Sequence, residues 1–274
     1  MSQPAHPVVL IHGLWMTARS WENWVTRYTG HGYHVIAKSW PGMDVDIDEL
    51  RRHPSPIATL GITEIVDHYE RIICGLDTAP FIIGHSFGGL ITQILLDRGL
   101  GAAGVAIAPA PVKGILFLPF STLKVSLPAL SNPANNHRAV PLTPEQFHYA
   151  FTNNLSEGES LAVFHRYAVP GPDHVLFQAA FANFNPHAGT AVDFHNNDRA
   201  PLLLISGGND NVSPASVVEA NFKLYRNSTA ITQYRNFPGR THYTLGQAGW
   251  EEVADYALDW AETHARKISA VSAG

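Results

Sequence analysis

The run Gly84-His-Ser-Phe-Gly88 places a hydroxyl between two glycines, two residues away on each side. A serine hydroxyl alone is a weak nucleophile. It needs a base within hydrogen-bond reach, and the base needs a group to orient it. Glycines at these positions remove side chains that would collide if the chain turned sharply at Ser86. The preceding Phe81-Ile-Ile-Gly84 reads as a strand, and the residues from Gly88 to Leu96 read as a helix. Strand, sharp turn and helix together lift a serine above a sheet edge, at the positive end of the helix dipole. The expected chemistry is attack on a carbonyl, with Ser86 as nucleophile.

Partners for that serine must come from later turns. Leu202–Ser206 reads as a strand, and Gly207-Gly-Asn-Asp210 as the turn at its carboxyl end, so Asp210 is the predicted acid. Asp193 and Asp198 precede the strand and belong at its other end. Strand Gly104–Ala108 leads into Pro109-Ala-Pro111, with no carboxylate there. Ser213-Pro214 is expected to cap the helix after Asp210. Ile231–Phe237 is the last predicted strand, and Pro238-Gly-Arg-Thr-His242 is the loop that follows it. His242 is therefore the predicted base. His85 is read as a packing residue.

The elements that must carry these groups follow from pattern. Short β-branched runs bounded by Gly, Pro or Asn mark strands at Val8–His12, Tyr33–Ala37, Phe81–Gly84, Gly104–Ala108, Leu202–Ser206 and Ile231–Phe237. Between most of them, apolar residues recur at helical spacing, as in Trp21, Trp24, Val25 and Tyr28, or Ile62, Ile65, Val66 and Tyr69. Strands alternating with helices predict a mostly parallel sheet covered on both faces. Residues 112–200 break the alternation. They open with Ile115–Phe120 and a Pro- and Asn-rich stretch, then show helix starts at Thr143-Pro-Glu-Gln146 and Ser156-Glu-Gly-Glu159. A third helix is expected over Phe177–Phe184. The predicted organisation is a core of residues 1–111 and 201–274 with a helical cap or lid of residues 112–200. The tail after Lys267 is expected to fray.

With serine, acid and histidine in that order, the chain resembles the α/β-hydrolase superfamily over nearly its whole length. Val8-Val-Leu-Ile-His-Gly13 is similar to the family's strand and His-Gly turn. The resemblance implies an oxyanion hole from the backbone N–H of Leu14 or Trp15 and that of Phe87. The His-Gly strand starts so early that two family strands are missing, leaving an α/β fold of about six strands. This truncated start resembles the plant methylesterase and hydroxynitrile-lyase group. Gly13 and Tyr243 look like the esterase side of that group, since its lyases carry Thr and Lys at the matching positions. Arg240-Thr-His242 departs from the common Gly-x-Gly-His. A Ser nucleophile disfavours the related enzymes that use Asp or Cys.

The resulting expectation is a serine hydrolase that cleaves a small or medium, largely apolar ester or lactone through an acyl-enzyme, with no cofactor or metal. Trp15, Met16, Phe117, Phe120, Phe147, Phe151 and Phe181 are the predicted pocket residues. Alternatives are a triad-bearing ligand receptor with slow or single turnover, and a C–C hydrolase or cofactor-free peroxidase on the same triad. The formal net charge of −5 and the 15% of charged residues argue against a nucleic-acid partner. The single cysteine, Cys74, cannot form an internal disulfide or a Cys-rich zinc site. No apolar stretch reaches the ~18 residues of a membrane span. No signal-peptide pattern precedes Val8, so a cytoplasmic location is expected. The sequence leaves the oligomeric state open.

Overall fold

A computed structural model describes residues 6–116 and 118–266, so Phe117 and the tail after Lys267 lie outside the described residues. In chain order the first half runs β1 (Val8–Ile11), α1 (Glu22–Gly30), β2 (Val35–Ala37), α2 (Ile47–Arg52), α3 (Ile62–Cys74), β3 (Phe81–His85), α4 (Phe87–Asp97) and β4 (Ala103–Ile107). An insertion follows, built from α5 (Phe120–Leu130), β5 (Ala139–Val140), α6 (Pro144–Phe151), α7 (Glu157–Tyr167), β6 (Gly171–Pro172) and α8 (Asp173–Ala180). The chain then returns through β7 (Leu202–Gly207), α9 (Ala215–Leu224), β8 (Thr232–Phe237) and α10 (Trp250–His264).

Six strands form one sheet in the order β2-β1-β3-β4-β7-β8, and each pairing is parallel. Successive side chains of a strand point to opposite faces. Accordingly Val8 and Leu10 pack with Trp24 and Tyr28 of α1 and Val253 and Leu258 of α10, while Val9 and Ile11 pack with Tyr69 of α3 and Leu95 of α4. Both faces are covered, which is why the inner strands read as unbroken apolar runs. The parallel pairing also places the loops. In a parallel sheet all carboxyl ends lie at one edge, so the turns after β1, β3, β7 and β8 converge there.

The predicted strands agree with these within one or two residues. Both predicted capping boxes form, with the Thr143 and Ser156 side chains accepting from the backbone N–H groups of Gln146 and Glu159. Three local readings differ. The helix expected over Phe177–Phe184 starts at Asp173, ends at Ala180 and gives way to a 3₁₀ turn over Ala182–Phe184. Asn183 explains the break: its side chain accepts from Gly114 N–H (2.8 Å) and donates to Ile115 O (2.9 Å). Pro214, not Ser213, occupies the N-cap position of α9, and the Ser213 hydroxyl has no partner among the described residues. Helix α5 forms across the stretch read as Pro-rich, with Pro128 inside it. Helix α2 and the two-residue ribbon β5–β6 were not foreseen.

Candidate active site

Ser86 is the turn between β3 and α4, at φ 56° and ψ −120°. A non-glycine residue there stores strain of roughly 1–3 kcal/mol, which the surroundings must hold. The glycines show how. A Cβ at Gly84 would overlap the Gly88 backbone, and a Cβ at Gly88 would overlap the Ile11 carbonyl. Trp15 (φ 62°) and Ala108 (φ 44°) are the other non-glycine residues at positive φ among the described residues. They follow β1 and β4, so backbone strain gathers at the carboxyl edge of three adjacent strands.

Asp210 and His242 meet at that edge. The Nδ1–H of His242 donates to Asp210 Oδ2 at 2.7 Å, and both side chains are fully buried. The other carboxylate oxygen, Oδ1, accepts from the N–H groups of Val212 (2.7 Å) and Ser213 (2.8 Å). Those two donors fix the carboxylate plane, so Oδ2 has one direction to face. With Nδ1 protonated, Nε2 of a neutral imidazole carries the lone pair, as a general base requires. Nε2 is buried and makes no hydrogen bond among the described residues. The hydrogen bond from Ser86 to this nitrogen is therefore not formed in this conformation. Such catalytic bonds are often long before substrate arrives.

His242 is held from several sides. His85 Nε2–H donates to the His242 carbonyl at 2.9 Å, and the two rings lie 4.6 Å apart. Tyr243 N–H donates to Phe151 O at 2.9 Å, and the Phe151 ring meets the imidazole edge-on at 4.9 Å. Burial, together with neighbouring His242, holds the His85 pKa well below the usual histidine value. His85 stays neutral and keeps its proton on the nitrogen that binds the loop. The Arg240 guanidinium donates to the carbonyls of Ala248 and Gly249, and Gln247 Oε1 accepts from Thr241 N–H, which clamps the same loop. The other histidine beyond Asp210, His264, ends α10 and bonds Trp260 O.

The expected oxyanion turn has its own support. His12 Nε2 accepts from Trp40 N–H (3.0 Å), so Nδ1 carries the proton and donates to Gly13 O at 2.8 Å. In a trans peptide this carbonyl and the Leu14 N–H point in opposite directions, so His12 sets where that N–H aims. Burial lowers the His12 pKa to about 4, which keeps this tautomer across the neutral range. A Cβ at Gly13 would lie 2.7 Å from Ser86 Cβ, so only glycine allows the β1 turn to approach the serine this closely.

A cavity of about 210 Å³ lies against the edge, lined by Ser86, Phe87, Leu14 and Trp15 on the sheet side. Across it stand Val112, Ile115, Val125, Leu130, Leu176 and Ala179 from the insertion. Of the predicted pocket residues within the described chain, Trp15 lies on the wall. Met16, Phe147 and Phe151 are packed into the core, where their size fills the space between insertion and sheet. Phe120 and Phe181 point to solvent instead. The missed wall residues are mostly small or aliphatic and carry no chemical signal of their own.

The comparisons agree with this architecture. A family model described as the alpha/beta hydrolase family matches residues 8–256. No curated protein sequence matches the chain. Among solved structures, a protein assigned as a non-heme bromoperoxidase from Mycobacterium tuberculosis superposes with TM-score 0.67 at 20% identity, over 95% of this chain and 93% of its own. Polyneuridine aldehyde esterase gives 0.65 at 18% identity, over 94% of this chain and 100% of its own. A methylesterase from Arabidopsis gives 0.64 at 13%, also over 94% and 100%. At these identities the likeness shows the fold. The chain belongs to the alpha/beta hydrolase family.

Proposed function

We propose that this family member is a serine esterase or lactonase acting through an acyl-enzyme, with Ser86, His242 and Asp210 as its triad. The observation that carries the reading is the buried Asp210–His242 pair, whose imidazole keeps Nε2 unengaged at the edge where the strained Ser86 turn meets an apolar cavity. His242 Nε2 takes the Ser86 proton as Oγ attacks the substrate carbonyl. The C=O electron pair moves onto oxygen, and the N–H groups of Leu14 and Phe87 hold that oxyanion. Removing one such donor in other hydrolases lowers kcat roughly 100- to 1,000-fold. The imidazolium then gives its proton to the leaving alkoxide as the C–O bond breaks. In the second half, His242 deprotonates water as it attacks the acyl carbon, and the imidazolium then returns that proton to Ser86 Oγ as the acyl C–O bond breaks and the acid leaves. Asp210 keeps the tautomer and stabilises the imidazolium.

The helical insertion serves as a lid in this reading. Its apolar wall favours a hydrocarbon-bearing acyl or alcohol group. Among the described residues no helix is long and apolar enough to cross a membrane, and no group of His, Cys, Asp and Glu could hold a metal ion. The test is a panel of p-nitrophenyl esters and lactones with wild type and Ser86→Ala, paired with fluorophosphonate labelling. The expected result is multiple turnovers by wild type and a fall of roughly 10⁴- to 10⁶-fold in Ser86→Ala. Hydrolysis unchanged in the variant discards the assignment. A burst without further turnover moves the protein to the receptor class.

A further inference from the structure

The apolar surface of the insertion extends well past the cavity. At about 210 Å³, the cavity is smaller than the roughly 300–1,000 Å³ of sites that hold drug-sized ligands. Its wall is open on one side, because Leu123 of α5 both lines it and remains 50% exposed. From Leu123 a stripe continues along α5 through Phe120 and Leu127, which are 78% and 63% exposed. The opposite face of the same helix buries Thr122, Val125 and Ala129. Leu116, Phe181 and Phe184 add to the outward surface. Each of these exposed residues lies one or two positions from a cavity-wall residue: Ile115, Leu118, Ser126, Ala180 or Asn183. The two Asn183 hydrogen bonds draw the Phe184 turn onto the segment that carries Leu116.

Exposed apolar side chains gathered on the packed pair α5 and α8 and the segment beside them mark a binding surface. Two observations select its occupant. The patch joins the cavity through Leu118 and Leu123, so a chain anchored at Ser86 and too long for the cavity emerges onto it. The segment of residues 114–134 holds one charged side chain, Lys124, which suits hydrocarbon better than a charged partner surface. We propose that this face is the outer half of the substrate site, and that the substrate is an ester of a long, unbranched apolar chain whose distal part lies along α5. The inference rests on the esterase reading above.

The experiment is a p-nitrophenyl ester series from acetate to dodecanoate, kept below the concentration at which the longer esters aggregate. It compares wild type with a chain carrying both Phe120→Ser and Leu127→Ser. Both sites are exposed, so the variant is expected to fold, and its circular dichroism and melting temperature verify that. In wild type, kcat/KM is expected to rise through decanoate. In the variant, the decanoate-to-butanoate ratio of kcat/KM is expected to fall roughly tenfold, since partial burial of each side chain is worth a factor of several. A wild-type optimum at butanoate or below overturns the proposal, as does an unchanged ratio in the variant. Size-exclusion chromatography of both proteins covers a second copy as occupant. A dimer that the variant dissolves, with the ratio unchanged, assigns the face to self-association and also overturns the proposal. Failure of the esterase reading looks different, because every ester is then left uncleaved or is cleaved equally by Ser86→Ala.

Discussion

The turns at the sheet edge and the outer face of the insertion use apolar and backbone groups in opposite ways. At the edge nearly everything is already committed. Gly84 and Gly88 have no room for a methyl group, Ser86 and Trp15 sit at positive φ, and Asp210 and His242 are fully buried against each other. On the insertion, α5 presents Phe120, Leu123 and Leu127 to solvent, and its packing places no comparable demand on them. In the proposed reading, positioned chemistry belongs to the crowded region, where small displacements are resisted, and choice of substrate to the open one, where side chains can be exchanged at little cost to the fold.

That contrast can be broken most directly at the acid. Asp210→Asn leaves the shape but offers the imidazole an amide, so the ring loses its charged partner and its enforced tautomer. The expected loss in kcat for ester cleavage is roughly 10⁴-fold, with circular dichroism unchanged. A loss under tenfold would mean that the buried pair is not the base and its orienting group.

Crowding at the edge makes the next prediction. Gly88→Ala drives a methyl group into the Ile11 carbonyl. The expected destabilisation is at least about 3 kcal/mol, a fall of about 10 °C in melting temperature. Gly13→Ala places its methyl carbon 2.7 Å from Ser86 Cβ, so relief requires the β1 turn and the Ser86 turn to move apart. It is expected to cost activity more than stability. Equal melting temperatures for Gly88→Ala and wild type would show that the edge has more slack than described.

A smaller effect separates the two regions by the sign of their pH response. His12 is buried under the edge, and its folded pKa of about 4 lies below the unfolded value. The unfolded chain therefore binds more protons, so this contribution is complete above about pH 6.5 and is lost as pH falls toward 4. Asp173 starts α8 in the insertion, buried, with neither carboxylate oxygen partnered among the described residues. Burial raises its pKa to about 7, so the folded chain holds the proton more tightly. Its contribution is complete below about pH 4 and is lost as pH rises to about 7. Asp173→Asn is expected to melt higher than wild type at pH 8 by a few degrees, and the advantage is expected to shrink toward pH 4. An advantage that grows on acidification would reverse the sign argued here.

The division between the two regions also governs what could be read from sequence. Strand runs such as Val8–Ile11 and Phe81–His85 are buried on both faces, so composition and boundary glycines suffice to find them. That Ser86, Asp210 and His242 come to one sheet edge was legible because each follows a strand, and a parallel sheet brings strand ends together. The roles of His12 and His85 were not, because they act on backbone carbonyls of Gly13 and His242 that a sequence does not display. The insertion was harder. Its capping boxes announced α6 and α7, but α5 contains Pro128 and carries apolar residues on both sides, so periodicity could not mark it. Phe147 and Phe151 were expected on the pocket wall by type alone. Their depth depends on how α6 meets the His242 loop, which is a tertiary fact. Helix α2 had a readable start, since Asp46 caps it by accepting from Asp48 N–H.

Trp15 ties the two regions together. Its indole N–H donates to Val140 O in the ribbon strand β5, and its carbonyl accepts from Val169 N–H just before β6. The residue that continues the Leu14 turn is thus fastened at both ends to the insertion. On the proposed reading, in which the Leu14 loop cradles a negative oxygen, any outward swing of the insertion would tug on that loop, and access and readiness would be geared to one another.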